Sequence, residues 1–327
     1  MGPATERPTC RIGMFANFEK LMAFPIRLIE GGCPRPAFLL FLLFSFSCSL
    51  LGQEVSFPRH FDDWPQIEAR LSKAILNGTD EEKRDALFEI RNYRSATASV
   101  IALPALSDRN EIVRATAAAS VVFLPASEAF RALARLLGDR RPFVRKEAAY
   151  ALEKVGYPGS APAIISALRR ERDAEAAAAL VIALGATGDR AAIEPLLGYL
   201  GARPSEETEF IRRSAARSIG RIAQIIRTGN ATVTTPQNFL PEKFKDIGAG
   251  QEGLLANDPF FRLAFQVLES VLRDAHESDD TRREAAFALG AIGEKAAIDV
   301  LKKHQTSQDP YLVEIAREAL LKLTSLD

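Results

Sequence analysis

The residues best suited to ligating a metal or attacking as nucleophiles are scarce in this 327-residue chain, which has three cysteines and three histidines. Cys10, Cys33 and Cys48 all lie near the N-terminus, so the rest of the chain has no thiol for a disulfide, a thiolate metal site or a cysteine nucleophile. His60, His276 and His304 are far apart, and of these only His276 adjoins a carboxylate, Glu277. No glycine-rich phosphate loop follows a strand pattern, and no Ser/His/Asp spacing suggests a triad. The residues therefore predict no catalytic centre, no cofactor and no metal.

Two sets of side chains recur in register. Arg114, Arg145, Arg212 and Arg282 occupy one equivalent position, and Asp108 and Asp139 precede the first two by six residues. An arginine ladder could bind anions, but its position at the margin of the buried face points to a structural role, with Arg and Asp joining adjacent repeats. The second set lies opposite the core. With Ala148 facing inward, Tyr150 falls about 200° round a helix that turns 100° per residue. Phe88, Ile182, Arg217 and Phe287 hold the equivalent position, and Phe123 and Arg221 stand one turn further on. Aromatics and arginines are the usual anchors of protein interfaces. Phe88, Phe123, Tyr150, Ile182, Arg217, Arg221 and Phe287 are thus expected to line a concave binding face.

The elements that must carry these residues are helices. Alanine is abundant, strand formers are sparse, and 47% of the chain is apolar. Asp108-Arg-Asn-Glu-Ile-Val-Arg-Ala-Thr-Ala-Ala matches Asp139-Arg-Arg-Pro-Phe-Val-Arg-Lys-Glu-Ala-Ala thirty-one residues later. The register extends to Ala86/Leu87/Ile90, Leu180/Val181/Leu184, Ala215/Ala216/Ile219, Ala285/Ala286/Leu289 and Ala316/Leu320/Leu323, giving seven copies. Each copy is expected to pair this helix with a shorter one, as in Ala161–Leu168, Ala191–Leu200 and Ala296–Lys303. One pair cannot bury its own apolar stripe, whereas stacked pairs can. Pro142 suits a first helical turn and Gly156 a left-handed end.

Val113-Arg114, Val144-Arg145, Ile211-Arg212 and the run Ala285–Gly293 resemble the HEAT-like repeats of the phycobilisome-lyase type, over roughly residues 79–327. The resemblance implies an all-α superhelix of about seven helix pairs, and by its family name alone it implies bilin lyase activity. The deoxyhypusine hydroxylases, another helical-repeat class, hold iron with several His-Glu pairs, and His276-Glu277 is one such pair.

Residues 1–52 are expected to be an N-terminal segment with a signal peptide or anchor. Ala37–Leu51 is an apolar run preceded by Arg27 and Arg35, Cys48 is a candidate for lipidation, and Met1, Met14 or Met22 could be the start. Residues 53–78 read as a linker with a capping helix, 79–327 as the solenoid, and about 224–257 as an insertion without helical period. Formal net charge is zero, so nucleic acid is not an expected partner. Taken together, the residues predict a non-catalytic, exported scaffold binding a protein or peptide along its concave face. A membrane would be met only through the N-terminal segment, in a periplasmic or extracellular setting. The alternatives are a bilin lyase-like enzyme or small-ligand carrier using the same groove, and an assembly module with no specific groove.

Overall fold

The structure is a computed structural model that describes residues 63–201, 203–229, 255 and 258–324. The expected signal or anchor segment, the three cysteines and most of the expected insertion lie outside the described residues. Every regular element among them is helical.

The helices alternate in two layers. The odd-numbered set comprises α1 (Trp64–Asn77), α3 (Ala96–Ala102), α5 (Ala126–Ala134), α7 (Ala161–Leu168), α9 (Ile193–Leu200), α11 (Pro259–Arg273) and α13 (Ala297–His304). The even-numbered set comprises α2 (Asp80–Asn92), α4 (Glu111–Ser120), α6 (Pro142–Val155), α8 (Ala174–Thr187), α10 (Glu206–Thr228), α12 (Asp279–Ile292) and α14 (Pro310–Thr324). Together they form seven pairs, and each even helix packs on the next.

Local chemistry sets the boundaries. The hydroxyl of Thr79 accepts from the Glu82 N–H while the Glu82 carboxylate accepts from Thr79 N–H, which closes a capping box on α2. Ser205 and Thr208 form the same reciprocal box on α10, and Asn110, Asp173 and Ser278 cap α4, α8 and α12 in the simpler way, with a side-chain oxygen accepting a first-turn N–H. Gly156, Gly188 and Gly293 end α6, α8 and α12 with φ of 59°, 65° and 81°, where an L side chain would be strained.

The repeating apolar positions are the core. Ala148, Ala149 and Leu152 of α6, Leu180, Val181 and Leu184 of α8, and Ala285, Ala286 and Leu289 of α12 are all buried. Each leucine so buried contributes about 1.5–3 kcal/mol. Small residues let the even helices approach closely. A Cβ on Gly185 of α8 would lie 2.6 Å from Ser218 Oγ of α10, and one on Gly290 of α12 would lie 2.6 Å from the Ala319 Cβ of α14. The even helices thus pack closely along their length while the odd ones touch sparsely. A stack built this way bends towards its tighter layer.

The helix before the insertion is longer than the sequence pattern predicts. α10 continues to Thr228 before Gly229 ends it with φ of 69°. Its last turn is held from outside the repeat, because Arg227 Nη1 donates to the Ala291 carbonyl at the end of α12, 3.0 Å away. α10 and α12 therefore stack directly although the insertion separates them in sequence.

Candidate functional site

The arginine positions form ion pairs between successive repeats, with Asp139 among their partners as the sequence pattern named it and Glu171 and Glu277 beyond that pattern. Lys83 Nζ of α2 donates to Asp108, 2.6 Å away in the loop before α4. Arg114 of α4 grips Asp139 with Nε and Nη2, at 2.8 and 3.0 Å. Arg145 of α6 grips Glu171 the same way, at 2.6 Å for each bond. That guanidinium, with the Asp173 and Arg172 N–H groups, lowers the Glu171 carboxyl to about 2. Arg212 of α10 closes on Glu277 and also donates to the carbonyls of Tyr199 and Leu200, at 3.2 and 3.0 Å.

One expectation needs correcting here, that Arg282 belongs to the ladder. Asp108 pairs with Lys83, and the acid of each rung comes from the following repeat. Arg282 holds no rung, because among the described residues it reaches only Asp279 and the Leu272 carbonyl, at 3.5 and 3.4 Å. Its neighbour Arg283, one residue further round α12 and facing α14, takes Asp309 at 2.8 and 2.9 Å. Sequence reasoning missed Lys83, Glu171, Glu277, Arg283 and Asp309. Lys83 stands three residues before Ala86, as Arg114 does before Ala117, and that register was readable. On α8 the position belongs to buried Ala177, and the ladder is interrupted there.

Of the expected concave-face residues, Phe88 is exposed on α2 with Arg91 over its ring at 5.2 Å. Tyr150, Ile182 and Phe287 are half-buried on α6, α8 and α12, and Arg217 is exposed on α10. Phe123 leaves the row because α4 ends at Ser120, and this side chain lies in the following turn.

Contacts from helix to helix link Arg217, Arg221 and Phe287 to their neighbours. Arg221 Nη1 donates to Glu153 Oε1 at 2.7 Å, linking α10 to α6 across the intervening α8. At the equivalent positions α8 carries Gly185 and Ala186, too small to obstruct it. Side chains two repeats apart meet only on the inside of a bend, so the even layer is the inner face. Tyr150 precedes Glu153 by one turn of α6. Next to Arg221, Gly220 receives the edge of the Phe287 ring, since a Cβ there would lie 2.6 Å from Phe287 Cε1. Lys322 covers that ring at 5.9 Å. One turn before Phe287, Glu284 accepts from Arg217 Nη1 at 2.9 Å. Burial pushes the Glu284 carboxyl up, against the pull of Arg217. The Arg221 Nε is a buried donor without an acceptor among the described residues.

Sequence reasoning also missed a second row on the same face. Ile112, Phe143 and Tyr311 stand in the first turns of α4, α6 and α14 and Phe210 at the start of the second turn of α10, all exposed, with Phe143 at 44% and Tyr311 at 67%. Phe143 precedes Tyr150 by seven residues, about two helical turns, so the same wheel would have found it. Lys146, Arg213 and Arg283 lie over the rings of Phe143, Phe210 and Tyr311, at 5.6, 5.3 and 4.9 Å.

A metal site of the hydroxylase kind does not fit the donors present. Among the described residues no three His, Cys, Asp or Glu side chains converge. Glu277, of the His-Glu pair, is committed to Arg212, and His276 is exposed.

Comparison with known proteins agrees with the repeat architecture. HEAT repeats match residues 100–180, and the PBS lyase HEAT-like repeat matches residues 281–306. The bilin biosynthesis protein PecE of Nostoc sp. (strain PCC 7120) is 25% identical over 192 residues, covering 56% of this chain and 69% of that protein. Deoxyhypusine hydroxylase-B of Oryza sativa subsp. japonica is 25% identical over 266 residues, covering 74% of this chain and 87% of that protein. Among solved structures, the karyopherin Kap121p, bound to the extreme C-terminus of the protein phosphatase Cdc14p, matches with a TM-score of 0.51. At 15% identity, covering 90% of this chain and 34% of the karyopherin, that likeness concerns the fold alone.

These relatives overturn two expectations, that the chain is a non-catalytic scaffold and that it is not an enzyme. One is named for bilin biosynthesis and the other for a hydroxylation, and both names describe enzymatic chemistry. The residues alone pointed away from an enzyme because they include no conventional nucleophile or metal set, and a lyase-like reading entered only as an alternative through the family resemblance.

Proposed function

For a stack of HEAT-like repeats of the phycobilisome-lyase type, we propose a role in bilin-lyase-type chemistry, as an enzyme or enzyme subunit that receives a bilin on the inner face. A bilin has a long conjugated body and carboxylate side chains. The conjugated body suits the rings of Tyr150 and Phe287. The observation that carries the reading is the buried Arg221 Nε, a donor lacking an acceptor among the described residues on that face. Leaving such a donor unmet costs about 1–3 kcal/mol, which a ligand carboxylate would recover.

Glu284 supplies the proton chemistry. Its carboxyl, raised by burial, stays protonated to a higher pH than an ordinary glutamate, so it can give a proton to the ligand and take one back. Lyase-type addition or elimination needs one such group beside the unsaturated carbon that the bilin supplies. Arg217 holds the carboxyl in place. A protein partner that accepts or yields the bilin is part of this reading.

Titrating the purified chain with biliverdin, followed by visible absorbance and fluorescence, tests the proposal. Phe287→Ala and Arg221→Met are each expected to weaken binding about tenfold. Glu284→Gln is expected to keep binding while slowing bilin transfer to an apo-biliprotein. Absence of saturable biliverdin binding, or binding indifferent to both inner-face variants, would overturn it.

A further inference from the structure

The ion-pair ladder has a second consequence at the rim of the inner face, the edge where loops enter the even helices, away from Tyr150, Arg221 and Phe287. In three consecutive loops the acid of a rung is followed directly by an exposed arginine, giving Asp108-Arg109, Asp139-Arg140 and Glu171-Arg172. Each acid is already neutralised, by Lys83, Arg114 and Arg145 respectively. Among the ion pairs of the described residues, Arg109, Arg140 and Arg172 take no part. The loops of Arg109 and Arg140 therefore each keep one positive charge without an ion-pair partner, and Arg172 stands beside the carboxylate of Asp173, which caps α8.

The three loops also share a fixed backbone. Asp108 Oδ1 accepts from Asn110 N–H at 2.8 Å, Asp139 Oδ1 from Arg141 N–H at 2.9 Å, and Glu171 Oε1 from Asp173 N–H at 3.0 Å. Arg114 and Arg145 tie the carbonyls of Asp108 and Asp139 from below, each at 2.8 Å. The free arginines thus recur once per repeat, on loops held by their own hydrogen bonds.

The step selects the ligand. Packed helices lie about 8–10 Å apart. A polyproline-II chain turns once in three residues and rises about 3.1 Å per residue, which returns the same side roughly every 9 Å. A β-strand places residues three apart on opposite sides and does not fit. Ile112 and Phe143, exposed three residues after Arg109 and Arg140, offer apolar surface to proline rings.

We infer that this edge docks an acidic polyproline-II segment of a partner protein, with one carboxylate per turn meeting Arg109, Arg140 and Arg172. The site goes beyond the bilin reading and does not depend on it.

The test is fluorescence anisotropy of the full chain in low-salt buffer with a labelled (Glu-Pro-Pro)4 peptide. Saturable binding is expected, and the combined Arg109→Glu, Arg140→Glu and Arg172→Glu substitution should weaken it by about tenfold or more. Reversing Arg131, Lys302 and Arg317 to Glu, an equal charge change elsewhere, should leave it unchanged. A (Glu-Pro-Pro-Pro)3 peptide, out of register, should bind more weakly. Equal binding of the two peptides, equal loss in the control variant, or tighter binding of a twelve-residue oligothymidylate to the same arginines would each overturn the inference. Biliverdin titration of the same variants keeps this result separate from the inner-face proposal, because neither triple variant touches Tyr150, Arg221 or Phe287.

Discussion

Replacing Glu277 with alanine should weaken the stack at a defined place. The Arg212 and Glu277 side chains are 3% and 1% exposed, so the pair is removed from solvent. Arg212 would keep the Tyr199 and Leu200 carbonyls but lose the carboxylate that neutralises it. Breaking a buried pair by removing one partner costs about 3–5 kcal/mol, because a charge is left uncompensated. In a stack stabilised by nearest-neighbour contacts, that loss should uncouple α11–α14 from the repeats before them. Trp64, the chain's single tryptophan, reports the other end, where it packs edge-on against Tyr93 at 5.3 Å. Urea unfolding of Glu277→Ala should therefore show loss of helical circular dichroism before the Trp64 fluorescence changes. In the parent chain the two curves should lie closer together. Arg212→Met combined with Glu277→Leu should recover at least half of the loss, since an apolar pair of similar volume avoids the desolvation cost. Superimposed curves with a change below about 1 kcal/mol, or a double variant no better than the single, would refute the reasoning.

Three further outcomes follow from the same geometry. Glu171 is lowered to about 2 from an ordinary 4.5, so its pairing with Arg145 stabilises the fold fully above pH 4.5 and fades as pH falls towards 2. Glu171→Gln should lower stability at neutral pH by roughly 2 kcal/mol and flatten acid unfolding across that window, as measured by denaturation at stepped pH. Gly185→Ala should destabilise by about 1–3 kcal/mol despite alanine's better helix propensity, because the added Cβ would lie 2.8 Å from Ser218 Cα. Gly198→Ala, in α9 with no atom within 4 Å of the new Cβ, should instead raise the melting point, by an amount matching about 0.5–1 kcal/mol.

Much of the fold was legible because each repeat states its own boundaries. Pro142 opens α6 and Gly156 closes it, and the expected Ala161–Leu168 helix is α7 residue for residue. Periodicity failed where it was extrapolated past a helix end, as at Phe123, where the chain turns after Ser120. It also stopped short at the insertion, since α10 runs on to Thr228 on contacts with α12 that no local pattern encodes. Tyr150 and Phe287 stand half-buried on α6 and α12, and the exposed row of Phe143 and Tyr311 two turns before that register was missed because the helical wheel extends towards the N-terminus as well.

By itself, the sequence determined that there are helices, where most begin and end, and which stripe of each is buried, because propensity, caps and apolar spacing act within a dozen residues. Tertiary structure alone decided the electrostatics. Arg212 and Glu277 are sixty-five residues apart and meet only because the stack closes across the insertion. Arg282 loses its rung to Arg283 for a similar reason. Which of two adjacent arginines reaches an acid depends on the rotation of one helix against the next, and no single repeat contains that information.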